Sequence, residues 1–331
     1  MARYYLGLDV HKVRTQYCLV DGGGAVVREG SVPTEEVLTL VDRPDLAAVL
    51  EAGGDWCAPY DTLRASGVAV TLAHPARVKA IAAARIKTDK IDARILAHLL
   101  RTDLIPEAWA APQETRELRD LVRLRWGFVS VRTQAKNRIH SLLRREGLRC
   151  PHSDLFGRAG QAWLHTADVR PHTRALVAQQ LEHQEQTTAH VAALTRTLQG
   201  RLATEPAVAL LQTIPGVGFL TAATLVAELG DWRRFAGPKQ VAAYFGLVPS
   251  VRASAQHARY GHLTKSGSGH ARRALVEAAH VAIRLPGPAR DRYLAVLPRR
   301  GKKVALVAAA RTLLCVAWTL LVRGERYHPA A

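Results

Sequence analysis

Two short apolar runs near the start of the chain each carry one acid where a further apolar residue is expected. Asp9 lies in Tyr4-Tyr5-Leu6-Gly7-Leu8-Asp9-Val10, and Glu51 ends Leu46-Ala47-Ala48-Val49-Leu50-Glu51. Both runs read as buried strands bounded by turn residues. Strands of that kind rarely carry a charge, because a buried carboxylate without a partner is costly. Two more acids, Asp89 and Asp92, stand three apart in Lys87-Thr88-Asp89-Lys90-Ile91-Asp92-Ala93-Arg94, where Thr88 is a candidate helix cap and the spacing puts both carboxylates on one helix face. Like charges so close repel, and a shared cation is a natural explanation. Carboxylates of this kind hold two magnesium ions about 3.5–4 Å apart in phosphoryl-transfer sites, one activating the attacking oxygen and the other stabilising the leaving one. Asp9, Glu51, Asp89 and Asp92 are therefore expected to ligate Mg2+ or Mn2+. Each also has a plain structural alternative: Asp9 could start a turn, Glu51 could cap the Gly53-Gly54 loop, and Asp89 and Asp92 could pair with Lys90 and Arg94 on an exposed first turn.

Around these acids, residues 1–105 alternate strand and helix. Strands are expected at 4–10, 16–20, 24–30, 47–51 and 68–73, the last closed by His74-Pro75, and a helix opens at Thr88. Two hairpin-linked strands, a third, then alternating β and α is the order of an RNase H-like domain with its first-strand acid central in the sheet. Pro106 and Pro112 precede a long helical segment over 114–145, in which Leu121, Phe128, Ala135 and Leu142 are spaced seven apart and Arg125, Arg132 and Arg138 interrupt the seam. Arg125 and Arg132 are expected to contact nucleic acid. A second segment over 174–202 ends in Val191, Leu194, Leu198 and Leu202. The pair is expected to form an antiparallel hairpin, either a dimerisation arm or a spacer packed on its own protein. The fold class is thus α/β plus α in three parts: an RNase H-like domain at 1–105, a helical coiled-coil arm at 106–205 and a mainly helical domain at 206–331.

Charge divides along the same lines. The chain of 331 residues has a net charge of +18 and a pI near 10.4, yet residues 1–75 hold 6 Lys and Arg against 10 Asp and Glu, and the rest hold 40 against 18. An acidic head able to bind metal, followed by a basic body, suits an enzyme that grips phosphate backbones. Cys18, Cys57, Cys150 and Cys315 show no paired spacing, which points to reduced thiols in the cytoplasm and away from a zinc ribbon. The most apolar stretch, 304–322, is interrupted by Arg311, so neither export nor membrane insertion is expected.

Two motifs mark the last third. Leu210-Leu211-Gln212-Thr213-Ile214-Pro215-Gly216-Val217-Gly218-Phe219-Leu220 has the shape of a helix-hairpin-helix element, with Gly216 and Gly218 letting the backbone approach a phosphate at a helix N-terminus. Its alternative is an ordinary joint between two helices. Further on, Arg252, Arg259 and Lys265 surround a loop in which a serine could attack a phosphate and the cations would neutralise the developing charge. By spacing alone Ser250, Ser254, Ser266 and Ser268 all qualify.

Taken together, Gly7-Leu8-Asp9-Val10-His11-Lys12, Leu50-Glu51-Ala52-Gly53, Lys87 to Arg94, Ile214-Pro215-Gly216-Val217-Gly218 and Gly246-Leu247-Val248-Pro249 through Lys265-Ser266-Gly267 resemble the DEDD transposases of the insertion-sequence one-ten family. The match runs in order over nearly the whole chain. The resemblance implies a RuvC-like head, a coiled-coil arm and a C-terminal transposase domain bearing a catalytic serine. It implies that Asp9, Glu51, Asp89 and Asp92 are the metal tetrad and that Ser254 is the nucleophile, forming a phosphoserine link to DNA before exchange and rejoining. Ala255 follows Ser254, whereas the family often has Gly there. Target and donor DNA, a bridge RNA pairing with both, and a homodimer or homotetramer in which one subunit's head and another's serine domain complete each site are implied in the same way. A RuvC-type junction-resolving endonuclease using water would need no such C-terminal part. A sugar kinase or actin-like ATPase would want Gly and Thr or Ser after its first Asp, which Asp9-Val10-His11-Lys12 lacks. A non-catalytic nucleic-acid scaffold would tolerate loss of all four carboxylates.

Overall fold

Strand pairing begins from the run that carries Asp9. In the computed structural model, which describes residues 3–81, 89–254 and 257–328, β1 (Tyr4–Val10), β2 (Arg14–Asp21) and β3 (Val26–Pro33) form an antiparallel meander. β4 (Leu46–Glu51) and β5 (Ala69–Ala73) add in parallel on the other side of β1, giving the order β3-β2-β1-β4-β5. This mixed sheet, with its first strand central, fits an RNase H-like head. β2 and β3 extend past their apolar patterns because the ladder pairs Arg14 with Pro33, so backbone hydrogen bonds rather than side-chain periodicity set those ends. A parallel neighbour needs a crossover, which α1 (Cys57–Ala65) supplies between β4 and β5.

The sheet is apolar on both faces. On one, Leu6, Leu8, Leu19 and Leu50 pack with Leu63 of α1 and with Val37 and Leu40 of a 3-10 helix at Thr34–Leu40. On the other, α2 (Pro75–Ile81) and α3 (Asp89–Arg101) place Val78 and Leu96 against Val49 and Ala73. α3 lies so close to β1 that a Cβ at Gly7 would collide with the Ala93 carbonyl and the Ala97 amide. The far end of α3 reaches the β2–β3 turn, where Arg101 Nη1 donates to the Gly22 carbonyl at 3.5 Å. Since that turn adjoins the start of β1, with Tyr4 opposite Asp21, α3 runs antiparallel to β1.

These elements belong to the first of two compact units, residues 1–111 and 112–331. In the second, α4 (Gln113–Arg145) and α6 (Pro171–Arg201) form an antiparallel hairpin closed at its far end by α5 (Arg158–Thr166), with Ile139, Leu143, Leu155, Leu164 and Val177 as a small core. The near end, Leu118, Val122, Trp126 and Leu198, enters a larger core with α7 (Pro206–Leu211), α8 (Phe219–Leu229), α9 (Pro238–Tyr244), α10 (Gly269–Ala282) and α11 (Pro288–Arg323). Of the seven-spaced residues only Ala135 is fully buried. The buried line Leu118-Val122-Trp126 and Ala135-Ile139-Leu143 runs beside them at i+4 spacing. A helix end that packs on several neighbours follows the 3.6-residue turn rather than a two-helix seam. β6 (Pro249–Ser254) and β7 (His257–Leu263) make a two-stranded ribbon. Among the described residues α11 alone is long and apolar enough to cross a membrane, and Ala309, Ala310, Leu313, Leu314, Ala317 and Leu321 put its apolar face into the core.

Candidate functional site

Asp9 and Glu51 sit at the carboxyl ends of two adjacent parallel strands, one position beyond the pair Leu8 and Leu50. Gly7 and Val49 face α3, and side chains two residues on return to the same face, so both acids look toward that helix. The antiparallel course of α3 brings its first turn, which starts at Asp89 and includes Asp92, to this same edge. Ligands in open α/β sheets favour the carboxyl ends of the strands. Asp9, Glu51 and Asp92 are half-buried, while Lys87, Thr88 and the side chain of Asp89 lie outside the described residues.

The neighbours of these acids bear on the plain alternatives. His11 Nε2 is 3.1 Å from Asp9 Oδ2, a contact the sequence did not single out although His11 is two residues away. Gly53 N–H donates to the Glu51 backbone carbonyl at 2.8 Å, so the turn there is closed by backbone. Arg94 donates to Glu29 of β3 at 2.6 Å, and that hydrogen bond raises the guanidinium above its ordinary pKa. Among the described residues, no group of three or more His, Cys, Asp and Glu side chains is close enough to hold a metal ion. By chemistry, three carboxylates at one edge are the hard oxygen donors that Mg2+ and Mn2+ take.

In the second unit, the β6–β7 register sets Ser254 opposite His257 and Arg252 opposite Arg259. The side chains of Arg252 and Ser254, and residues 255–256, lie outside the described residues. The other serines have local structural contacts: Ser266 donates to the Ala243 carbonyl at 3.2 Å, Ser268 caps α10 by accepting the Ala271 N–H at 3.2 Å, and Ser250 packs on Gly261. The ribbon's base is locked. Arg272 Nη1 donates to the carbonyls of Phe245, Ser266 and Gly267 at 3.1, 2.6 and 3.2 Å, a clamp the sequence did not reveal. Exposed Lys265 is held beside it at φ 54°, a conformation uncommon outside glycine.

The remaining expected contacts divide. Arg132 is half-buried, but Arg125, expected on the nucleic-acid surface, is only 9% exposed and donates to Thr195 Oγ1 inside the hairpin at 2.8 Å. Burial, with the nearby Arg132 charge, pushes its guanidinium below the ordinary pKa. That correction follows from the seam: position 125 sits beside Val122 and Trp126 on the buried line. Gly216 has φ 84°, and a Cβ there would collide with the Ala278 carbonyl of α10, so its glycine serves helix packing. Gly218 is the N-cap of α8, with open space where a Cβ would stand. A buried ion pair also escaped the sequence reading: Glu228, 2% exposed, accepts two hydrogen bonds from Arg123, both at 2.9 Å.

Comparison with known proteins gives matches in both units. Residues 6–146 match a transposase family of the IS110 DEDD type, and residues 208–294 match the transposase IS116/IS110/IS902 family. The chain is 26% identical to the transposase for insertion sequence element IS1111A of Coxiella burnetii, over 98% of this chain and 92% of that one. It is 28% identical to the "Probable family 20 transposase" of Pseudomonas aeruginosa, over 98% of both. With the transposase for insertion sequence element IS1328 of Yersinia enterocolitica it shares 24% identity over 72% of each.

Proposed function

The chain belongs to the IS110 family of insertion-sequence transposases, and we propose that it cleaves and rejoins DNA strands with a carboxylate-held divalent metal and a serine nucleophile. What carries the metal reading is the meeting of Asp9, Glu51 and the first turn of α3 at one edge of the sheet. Asp9, Glu51, Asp89 and Asp92 would hold Mg2+ or Mn2+, which polarises the scissile phosphate when bound. Ser254 would attack phosphorus: its oxygen forms a new phosphodiester bond, the bond to a deoxyribose oxygen breaks, and the serine proton passes in net to that leaving oxygen. One phosphodiester replaces another, so rejoining needs no outside energy source. Arg252 and Arg259 support the assignment. Like charges at directly opposite ribbon positions destabilise a hairpin, and a phosphate between them would relieve the repulsion. Lys265 adds a third cation at the ribbon's base.

Donor and target DNA are the substrates in this reading, with a guide RNA pairing to both and a dimer or tetramer as the active form. The division of labour would follow three parts, 1–105 for metal chemistry, 106–205 for the arm and 206–331 for the serine. The test is a denaturant-resistant protein–DNA adduct. Asp9→Asn and Ser254→Ala should each abolish it and recombination while DNA binding persists, and Ser250→Ala and Ser266→Ala should keep both. An adduct formed by Ser254→Ala, or cleavage by water with no adduct in the unaltered protein, would replace this reading with a junction-resolving endonuclease.

A further inference from the structure

We propose that the far part of the helical hairpin carries a groove for a nucleotide of single-stranded nucleic acid, resting on the nucleic-acid function proposed above. Between α4 and α6 lies a groove of about 230 Å³ lined by Arg138, Ser141, Leu142 and Arg145 from α4 and by Leu176 and Gln180 from α6. The α4 residues stand at i, i+3, i+4 and i+7 and so form one stripe. At 1.5 Å rise per residue the two arginines are about 10 Å apart along the axis, bracketing Ser141 and Leu142.

Three observations name the occupant. First, the lining is cationic without compensation: Arg138 and Arg145 are exposed, neither has an ion-pair partner among the described residues, and no acid lines the groove. The neighbouring acid, Glu146, is engaged elsewhere by Arg170 at 3.0 Å and by Thr173, and the Arg170 hydrogen bond holds its carboxyl below the usual range. Second, the floor is apolar, with Leu142 and Leu176 half-buried beside Ser141 and Gln180. Third, the Gln180 amide oxygen is enclosed without a hydrogen-bond partner, which a rotation of the amide toward a base N–H would cure. Cations for phosphates, an apolar surface for a ring and neutral donors and acceptors for a base edge are together what a nucleotide requires. A duplex keeps its bases stacked and paired, and extruding one is costly. A single strand presents its bases freely, which favours it as the ligand.

The experiment measures binding of the full-length protein to short fluorescent single strands of DNA and of RNA, each also made abasic, and to a duplex, across a salt titration. Arg138→Ala/Arg145→Ala should lower the log–log salt slope on intact single strands by about 1.4, two phosphates at roughly 0.7 each, with duplex binding unchanged. Ser141→Val/Gln180→Leu should keep the slope and lose the preference for intact over abasic strands. Ile139, Leu143 and Val177, which build the hairpin's far core, are untouched, and unchanged thermal melting verifies folding. A loss on the RNA strands alone assigns the groove to RNA, and a loss on the DNA strands alone to DNA. The proposal is overturned if the variants bind single strands like the parent, if the parent binds abasic strands as well as intact ones, or if the variants change only the oligomeric state. A parent protein that binds no nucleic acid would sink the transposase reading too, whereas strong binding indifferent to the groove variants would sink the groove alone.

Discussion

At Gly7 the absence of a side chain decides whether the acid-bearing strand can be covered at all. Gly7→Ala would drive a methyl into the backbone of α3 at Ala93 and Ala97. Backbone cannot yield as a flexible side chain does, so the cost should be about 3 kcal/mol, read by urea unfolding, with cleavage lost as the first turn of α3 leaves the Asp9 edge. Glu228 shows how far a lone acid in an apolar run can be trusted as a signal. The pattern that draws attention to Asp9 and Glu51 is equally present in Phe219–Leu229, where the structure pairs Glu228 with Arg123. An acid in such a run is therefore legible as a carboxylate with a partner, but the sequence does not say whether the partner is a cation from solution or an arginine from another helix. Burial pushes the Glu228 carboxyl up, and the Arg123 hydrogen bonds and charge outweigh it and hold it below the usual range. A depressed folded-state pKa stabilises above the unfolded value and is lost as pH falls through the folded one. Glu228→Gln should accordingly be less stable at neutral pH but lose less than the parent on acidification through the carboxylate range, as followed by thermal melting. Arg123→Ala should cost about 3 kcal/mol, at the low end for breaking a buried pair because the guanidinium is half-exposed.

Among the elements, the long helices were the most legible and their packing the least. Period and length identified both arms of the hairpin, yet heptad spacing misassigned which face is buried, because α4 packs on α6 along its length and on the core helices at its base. α11 hides another departure: Gly301 breaks it at φ 74° and ψ 171°, a conformation essentially restricted to glycine. Gly301→Ala should cost about 1–3 kcal/mol, seen as a lower urea midpoint with an unchanged slope. The sequence places a loop where the β6–β7 ribbon lies: Pro249, Val251 and Ala253 do alternate with Ser250, Arg252 and Ser254, but the run is short, its apolar members are mostly small and Val251 is 54% exposed, so no buried face marks it as a strand. Its opposed Arg252 and Arg259 give a prediction of opposite signs. Arg259→Ala should stabilise the free protein by a few tenths of a kcal/mol, by removing like-charge repulsion, while weakening DNA binding in a salt-dependent way.

For the whole molecule, the charge division follows the physical one. Residues 1–111 hold 13 Lys and Arg against 14 Asp and Glu, and residues 112–331 hold 33 against 14. Affinity should therefore reside in the second unit and fall steeply with salt, about 0.9 in the log–log slope for each duplex phosphate neutralised. Residues 112–331 expressed alone should keep most of the DNA affinity, and residues 1–111 should keep little. A flat salt response of the full chain would show that the basic surface does not grip the backbone.

Periodicity, turn residues and charge are local properties, and they were enough to determine the strand run of the head, the two long helices, the acidic-to-basic division and the acids that needed explaining. Tertiary structure alone decided which neighbours those residues meet. Only the parallel pairing of β1 with β4 brings Asp9 beside Glu51, because residues 42 apart in the chain become adjacent solely through the sheet register. Only packing turns Arg125 inward to Thr195, ties Gly216 to α10 and gathers three carbonyls on Arg272. A side chain's chemistry is written in the sequence, but its partner is set by which long-range contacts bury the most apolar surface without leaving polar groups unmatched.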